Sequence, residues 1–125
     1  MLNQSIAIVG LGRVGSVFLK ALLDQAGKGI NIVAVAEKGD TPGSVLAKAR
    51  GVQNLSIEEL VGKGDGIDIL FDLTGVAAVR QDIRDKLQAS GNRHTVIASE
   101  SIANLVWSLI DNGEQLPGVH AKTGY

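Results

Sequence analysis

Ser5-Ile6-Ala7-Ile8-Val9-Gly10-Leu11-Gly12-Arg13-Val14-Gly15-Ser16-Val17-Phe18 is the stretch on which the fold turns. Ser5–Val9 is a short Ile/Val run without polar alternation, the pattern of a strand covered on both faces, as in parallel sheets. The run breaks at Gly10. From Arg13 onward, Val14, Val17, Phe18, Ala21 and Leu22 recur at helical spacing to about Ala26, with Gly27 and Gly29 as stops. A buried strand passing through a glycine turn into an amphipathic helix predicts a βαβ arrangement.

The chain then repeats that alternation. Ile30–Ala36 is a second β-branched run, ending at Glu37. Asp40, Thr41 and Pro42 open a second helix, with Pro in its first turn and Gly51 at its end. Val52–Leu55 is a short edge strand, and Ser56-Ile57-Glu58-Glu59 is a capping box that starts a brief helix ending in the Gly62–Gly66 cluster. Ile67–Asp72 is the next buried strand, after which Val76, Val79, Ile83 and Leu87 repeat at helical spacing up to Gly91. Thr95–Ala98 is a further strand. Ile102, Leu105, Val106, Leu109 and Ile110 share one face of a last helix, closed by Gly113, and this face is expected to be its core stripe. The expected architecture is α/β: a doubly wound parallel sheet of about five strands in the order 3-2-1-4-5, with right-handed crossovers and helices on both faces. It fills a single domain over residues 1–113, followed by an irregular tail over 114–125.

Composition sets the outer bounds. A chain of 125 residues suits one core, and 45% hydrophobic with 20% charged residues is a globular balance that argues against disorder. Aromatics are only 3%, so Val, Ile, Leu and Ala must fill the core. Twelve basic against 13 acidic residues give a net charge of −1, which removes the usual case for a nucleic-acid partner. With no cysteine, thiol catalysis, thiolate metal sites and disulfides are excluded, and the expected setting is cytoplasmic. No apolar run approaches the roughly 18–20 residues of a membrane span, and Met-Leu-Asn-Gln-Ser lacks the look of a signal peptide.

The sharpest chemical signal is Gly10-Leu11-Gly12-Arg13-Val14-Gly15, lying directly between strand and helix. Gly10 permits the tight turn, Gly12 lets the backbone approach a pyrophosphate, and Gly15 lets helix and strand pack closely. Free amides at the helix start then face the phosphates. The plain alternative is a glycine turn in a non-binding α/β domain. Glu37, after the second strand, is placed to accept hydrogen bonds from both hydroxyls of an adenosine ribose and to repel a 2′-phosphate, which favours NAD over NADP. Lys38 beside it is a cation that could serve such a phosphate, although a surface lysine explains it as well. Ligands of these sheets bind at the carboxyl ends of the strands where the order reverses, here between the first and fourth. Leu73, Thr74 and Gly75 leave the fourth strand at that point and are expected to line the cofactor's central or nicotinamide side. Thr74 or Asp72 capping the next helix is compatible with that role.

Ser99 follows the fifth strand on the same edge and is counted with the binding residues. Capping by Ser99 or Ser101, with Glu100 in the first turn, explains this group more simply than an acid–base pair of Glu100 with Asp72. His94, at the amino end of its strand, and His120, in the tail, read as surface residues. Arg80, Arg84, Asp82, Asp85 and Lys86 read as one solvated face with local charge pairs. Trp107 falls off the apolar stripe of its helix and is expected to be partly exposed. It is therefore the candidate anchor for a homodimer or partner, with packing along the domain's own edge as the alternative.

Ala7–Gly15, Val33-Ala34-Val35-Ala36-Glu37 and Ile67–Gly75, ending in Asp72-Leu73-Thr74-Gly75, together resemble the N-terminal NAD(P)-binding Rossmann domain of homoserine dehydrogenase, whose superfamily also holds aspartate dehydrogenase and dihydrodipicolinate reductase. The resemblance spans residues 5 to about 112. It implies that the glycine loop holds the pyrophosphate and that the residue after the second strand meets the ribose. Those dehydrogenases typically carry Asn-Lys after the fifth strand, where this chain has Ser99-Glu100, and they place substrate and catalytic residues in a second domain. Val96–Trp107 is also similar to Rossmann-like input domains of some bacterial signalling proteins, which implies a sensor of dinucleotide or redox state. The expectation is a dinucleotide-binding or redox-sensing module without its own catalytic domain. The alternatives are a nucleotide-binding fragment or subunit of a homoserine-dehydrogenase-like oxidoreductase, and a cofactor-free interaction domain.

Overall fold

The computed structural model describes residues 3–25 and 27–110. Gly113, His120 and the tail boundary at 113/114 lie outside the described residues, as does Ala26. The elements run β1 (Gln4–Val9), α1 (Arg13–Asp24), β2 (Ile30–Ala36), α2 (Pro42–Ala49), β3 (Gln53–Asn54), α3 (Ile57–Val61), a 3-10 turn (Gly64–Gly66), β4 (Ile69–Asp72), α4 (Ala77–Ala89), β5 (Val96–Ala98) and α5 (Glu100–Leu109). The strands form one five-stranded sheet in the order β3-β2-β1-β4-β5, and all neighbours are parallel.

The missing polar alternation in β1 has a direct cause. Ile6 and Ile8 point into the core beneath α1, α2 and α5, whereas Ala7 and Val9 point into the core beneath α3 and α4. A strand clad on both faces has no position where a polar side chain reaches water. The first core is centred on Phe18 and Phe71, which meet edge to face with ring centroids 4.9 Å apart. The second is built from smaller groups, among them Ala7, Ala34 and Ala36 against Leu60, Ile83 and Leu87.

Local signals set the helix starts. Thr41 Oγ1 accepts from Ser44 N–H at 3.0 Å, Ser44 Oγ accepts from Thr41 N–H at 2.9 Å, and Pro42 sits in the first turn of α2. Ser56 and Glu59 make the same reciprocal pair at the start of α3, as their spacing predicts. At the amino end of the sheet, Asp68 joins three strands' ends. Its carboxylate accepts from Ser5 N–H at 2.7 Å and meets His94 Nε2 at 2.5 Å. His94 is thus at the surface, as expected, but it is tied across to β4.

Two expectations are corrected by packing. The core face of α5 is Ala103 and Trp107, with Val106 and Ile110 partly buried against the same cluster, whereas Ile102, Leu105 and Leu109 are exposed. Ala103 lets α5 lie close to the sheet, and the large flat Trp107 removes more apolar area from water than an aliphatic residue in its place. Trp107 is therefore a core residue, only 6% exposed, which corrects the expectation of partial exposure. Arg80, assigned to a solvated face, is the second correction. It is buried beside Asp72.

Candidate functional site at the carboxyl edge of the sheet

The turn after β1 is shaped by close approaches. Gly10 has φ +93°, and a Cβ there would lie 2.9 Å from both Thr74 Cγ2 and Thr74 N, so no side chain fits. A Cβ on Gly15 would stand 1.9 Å from the Gly10 carbonyl oxygen, which fixes the first turn of α1 against the loop. Gly12 differs from both, because nothing lies within 4 Å of where its Cβ would be. Its missing side chain leaves open space in front of the helix start. No side chain caps α1, and its first intrahelical bond runs from Ser16 N–H to the Gly12 carbonyl, so the amides of Arg13, Val14 and Gly15 precede the helical ladder. Open space before uncommitted amides at the positive end of a twelve-residue helix is what a pyrophosphate requires.

Glu37 closes over this loop. Its Oε1 accepts from Leu11 N–H at 2.7 Å and its Oε2 from Gly39 N–H at 2.9 Å. The carboxylate predicted from its distance along the chain thus stands beside the glycine turn, with lone pairs remaining on both oxygens. Lys38, next in sequence, is exposed. Ser16 Oγ adds a second brace, donating to the Leu11 carbonyl at 2.8 Å and accepting from Gly43 N–H at 2.9 Å, so the loop is joined to the start of α2.

On the far side of the switch between β1 and β4, Leu73 N–H bonds the Val9 carbonyl at 2.8 Å and carries the chain past Gly10. Asp72 organises this wall from beneath. Its Oδ1 accepts from Thr74 N–H at 3.0 Å and Thr74 Oγ1–H at 2.7 Å, while its Oδ2 accepts from Arg80 Nε at 2.9 Å. Thr74 Oγ1 in turn accepts from Val76 N–H at 3.2 Å, the residue before α4. Thr74 Oγ1 thus braces the chain just before α4, but the N-cap of that helix is Val76, with no side-chain cap. The expectation that Thr74 or Asp72 caps it is corrected, while Thr74 does line the cleft. Both Asp72 oxygens thus hold neighbouring groups of this wall, Thr74 on one side and Arg80 on the other.

These groups surround a cleft of about 630 Å³ lined by Gly10, Glu37, Lys38 and Thr74 together with Asn54, Leu55, Ile57 and Val79. That size lies within the range of small-molecule sites. Apolar groups from the β3–α3 connection and α4 form one wall. A clasp holds that wall: Lys86 bonds Asp82 and reaches Glu58 Oε1 at 3.5 Å. The Glu58 carboxyl is held below its ordinary range, first by its own backbone N–H and then by Lys86, while Asp82, foremost, raises the Lys86 ammonium.

The predicted residues divide by what they offer. Gly10, Gly12, Glu37, Lys38 and Thr74 converge on the cleft and loop. Leu11, Val14 and Leu73 have buried side chains, so only their backbones reach the edge. Arg13 is exposed at the start of α1, and Gly75 turns the chain with φ +69°. Ser99 opens α5 on the same edge beyond β4, but its side chain makes no capping hydrogen bond. Sequence reasoning missed Asn54, Ser16 and the Asp72–Arg80 pair. Only the last left a signal, since an Arg eight residues after a strand-end Asp falls on the same side of α4 as Ile83 and Leu87. Among the described residues no group of three His, Asp or Glu is arranged to hold a metal, and no helix is long and apolar enough to cross a membrane.

A parallel sheet in the order 3-2-1-4-5, with an open glycine loop at the switch point and an acidic residue ending its second strand, defines a dinucleotide-binding Rossmann domain. Residues 10–115 match the family described as "Homoserine dehydrogenase, NAD binding domain", and the chain belongs to that family. Solved structures agree on the fold. Apo scyllo-inositol dehydrogenase from Lactobacillus casei is 18% identical with a TM-score of 0.60, over 78% of this chain and 28% of that one. S. aureus homoserine dehydrogenase is 18% identical with a TM-score of 0.58, over 87% of this chain and 29% of that one. GenD2 from gentamicin A biosynthesis, solved in complex with NAD, is 20% identical with a TM-score of 0.58, over 78% and 27%. The chain spans less than a third of the length of each of these three structures. No curated protein sequence matches it.

Proposed function

We propose that this chain binds NAD in preference to NADP at the edge described, with the Gly10–Gly15 backbone and the start of α1 facing the pyrophosphate and Glu37 facing the adenosine ribose. Leu73, Thr74 and Gly75 form the wall toward the nicotinamide, with Ser99 at its far margin and Lys38 and Arg13 as flanking cations. The observation that carries the reading is the pairing of an open Gly12 with Glu37 anchored on Leu11 N–H. A fixed carboxylate there accepts from ribose hydroxyls and opposes a 2′-phosphate. When bound, the nicotinamide supplies hydride chemistry. The residues of this chain bind and orient it.

The role we infer is that of a dinucleotide- or redox-sensing module. The strand-end carboxylate Asp72 accepts from Arg80 and Thr74 and so serves to hold the Leu73–Gly75 wall. Sensing requires unequal affinity for the two redox forms, because a ligand shifts an equilibrium only by its differential binding. NAD and NADH affinities differing by about fivefold or more support it, and equal affinities contradict it. A second reading, the nucleotide-binding portion of a homoserine-dehydrogenase-like oxidoreductase, is favoured by the family match and by the short span of the neighbours covered. NADH formation from NAD and homoserine supports that reading, whereas sensing is decided by the unequal NAD and NADH affinities. For placement of the site, backbone amide NMR during titration with NAD tests the proposal. Shifts are expected at Gly12, Val14, Glu37 and Thr74; shifts confined to the opposite edge of the sheet contradict it.

A further inference from the structure

Asn54 ends β3, a strand of only two residues, and the parallel ladder between β2 and β3 stops at the pair Val35 and Asn54. Leu55 N–H still reaches the Val35 carbonyl at 2.7 Å. Beyond that point the Asn54 side chain takes over. Its Oδ1 accepts from Glu37 N–H at 3.0 Å and its Nδ2 donates to the Glu37 carbonyl at 3.0 Å. A carboxamide carries one acceptor and an amide donor in nearly the same plane as a peptide group, so it pairs with backbone as another peptide would. The sheet is thereby extended by one residue at the place where Glu37 leaves it.

The consequence is geometric. Glu37 is gripped twice: its backbone by Asn54, its carboxylate by Leu11 and Gly39 amides. Asn54 itself is exposed and lies outside both hydrophobic cores, so its contacts do not explain core packing. We infer that Asn54 is a positioning residue for cofactor selectivity, holding Glu37 where it favours a ribose with a free 2′-hydroxyl over one with a 2′-phosphate. The inference rests on the NAD reading proposed above. Released from Asn54, Glu37 can turn away from the ribose. It then loses the hydroxyl contact and exposes Lys38 to a phosphate, which moves the two affinities in opposite directions.

The test is calorimetric titration of the chain with NADH and NADPH in four forms: unaltered, Asn54→Ala, Glu37→Ala, and the two combined, each with its urea midpoint. Asn54→Ala is expected to lower the NADH-over-NADPH preference roughly three- to tenfold, about the worth of one neutral hydrogen bond, because the two lost backbone contacts reach the ribose only through Glu37. In the Glu37→Ala background it should change the preference no further. If Asn54→Ala does not fold, Asn54→Thr, a strand-favouring residue too short to bridge both groups, takes its place. Equal weakening of both cofactors, or an undiminished effect without Glu37, overturns the inference while leaving the NAD reading intact. An unaltered chain that binds neither cofactor overturns both.

Discussion

Replacing Arg80 with Met removes the cation from the most deeply buried ion pair of the molecule's described residues. Arg80 Nε lies 2.9 Å from Asp72 Oδ2, with side chains 4% and 0% exposed. Methionine preserves most of the aliphatic volume, so little of the expected loss is cavity. What remains is a carboxylate sealed from water beneath the Leu73–Gly75 turn without its partner, a situation that costs about 3–5 kcal/mol. A domain of this size has a total stability of about 5–15 kcal/mol, so the loss is about a fifth of it or more. With a urea slope of about 1–3 kcal/mol per molar, the midpoint should fall by about 2 M. Trp107, the chain's single tryptophan, is buried in the core and reports the transition by fluorescence. The companion is Arg80→Met with Asp72→Asn. Asparagine keeps an oxygen for the Thr74 amide but carries no charge, so the double variant should be more stable than Arg80→Met alone by about 2 kcal/mol. A single-variant loss under about 1 kcal/mol, or effects that add within about 0.5 kcal/mol, would refute the reasoning.

Gly12→Asp points a side chain into open space at a helix N-cap, where Asp is welcome, so the fold should persist within about 1 kcal/mol while dinucleotide binding is abolished. Calorimetry beside a urea curve checks both halves. Gly15→Ala should instead lose stability by about 2 kcal/mol or more, because its methyl meets the Gly10 carbonyl at 1.9 Å; a near-neutral variant contradicts the close-packing account. Glu37→Ala should narrow the gap between NAD and NADP affinity, and an unchanged ratio removes Glu37 from the ribose. Asp68 is held below its ordinary pKa first by Ser5 N–H and then by His94, so its contribution is present above its unfolded pKa and lost as pH falls through the lower folded value. Asp68→Asn should therefore be less stable than the parent at pH 5, with the difference closing below about pH 4; parallel urea midpoints across that range contradict it.

The fold was legible because its signals are local and agree with one another. The Ser5–Val9 run, the glycine turn, the Ser56/Glu59 box and the five strand–helix alternations each appear where their physics predicts. The fate of α5 was not legible. Its sequence offers two apolar faces, and only the space beside β4 and β5 decides that Ala103 and Trp107 go inward. Arg80 was hidden for a related reason, since a charge reads as solvated until its partner is known, and Asp72 lies one strand end away in space. The candidate site divides in the same manner. Its glycines and Glu37 follow from spacing along one βαβ unit. Asn54 reaches Glu37 across 17 residues through a strand pairing that no period in the sequence announces.

The most direct measurement is calorimetric titration of the 125-residue chain with NAD, NADH, NADP and NADPH. Micromolar binding of the NAD pair, weaker for the NADP pair, is the predicted result. Binding of none of the four would contradict the account, leaving the glycine loop as architecture alone.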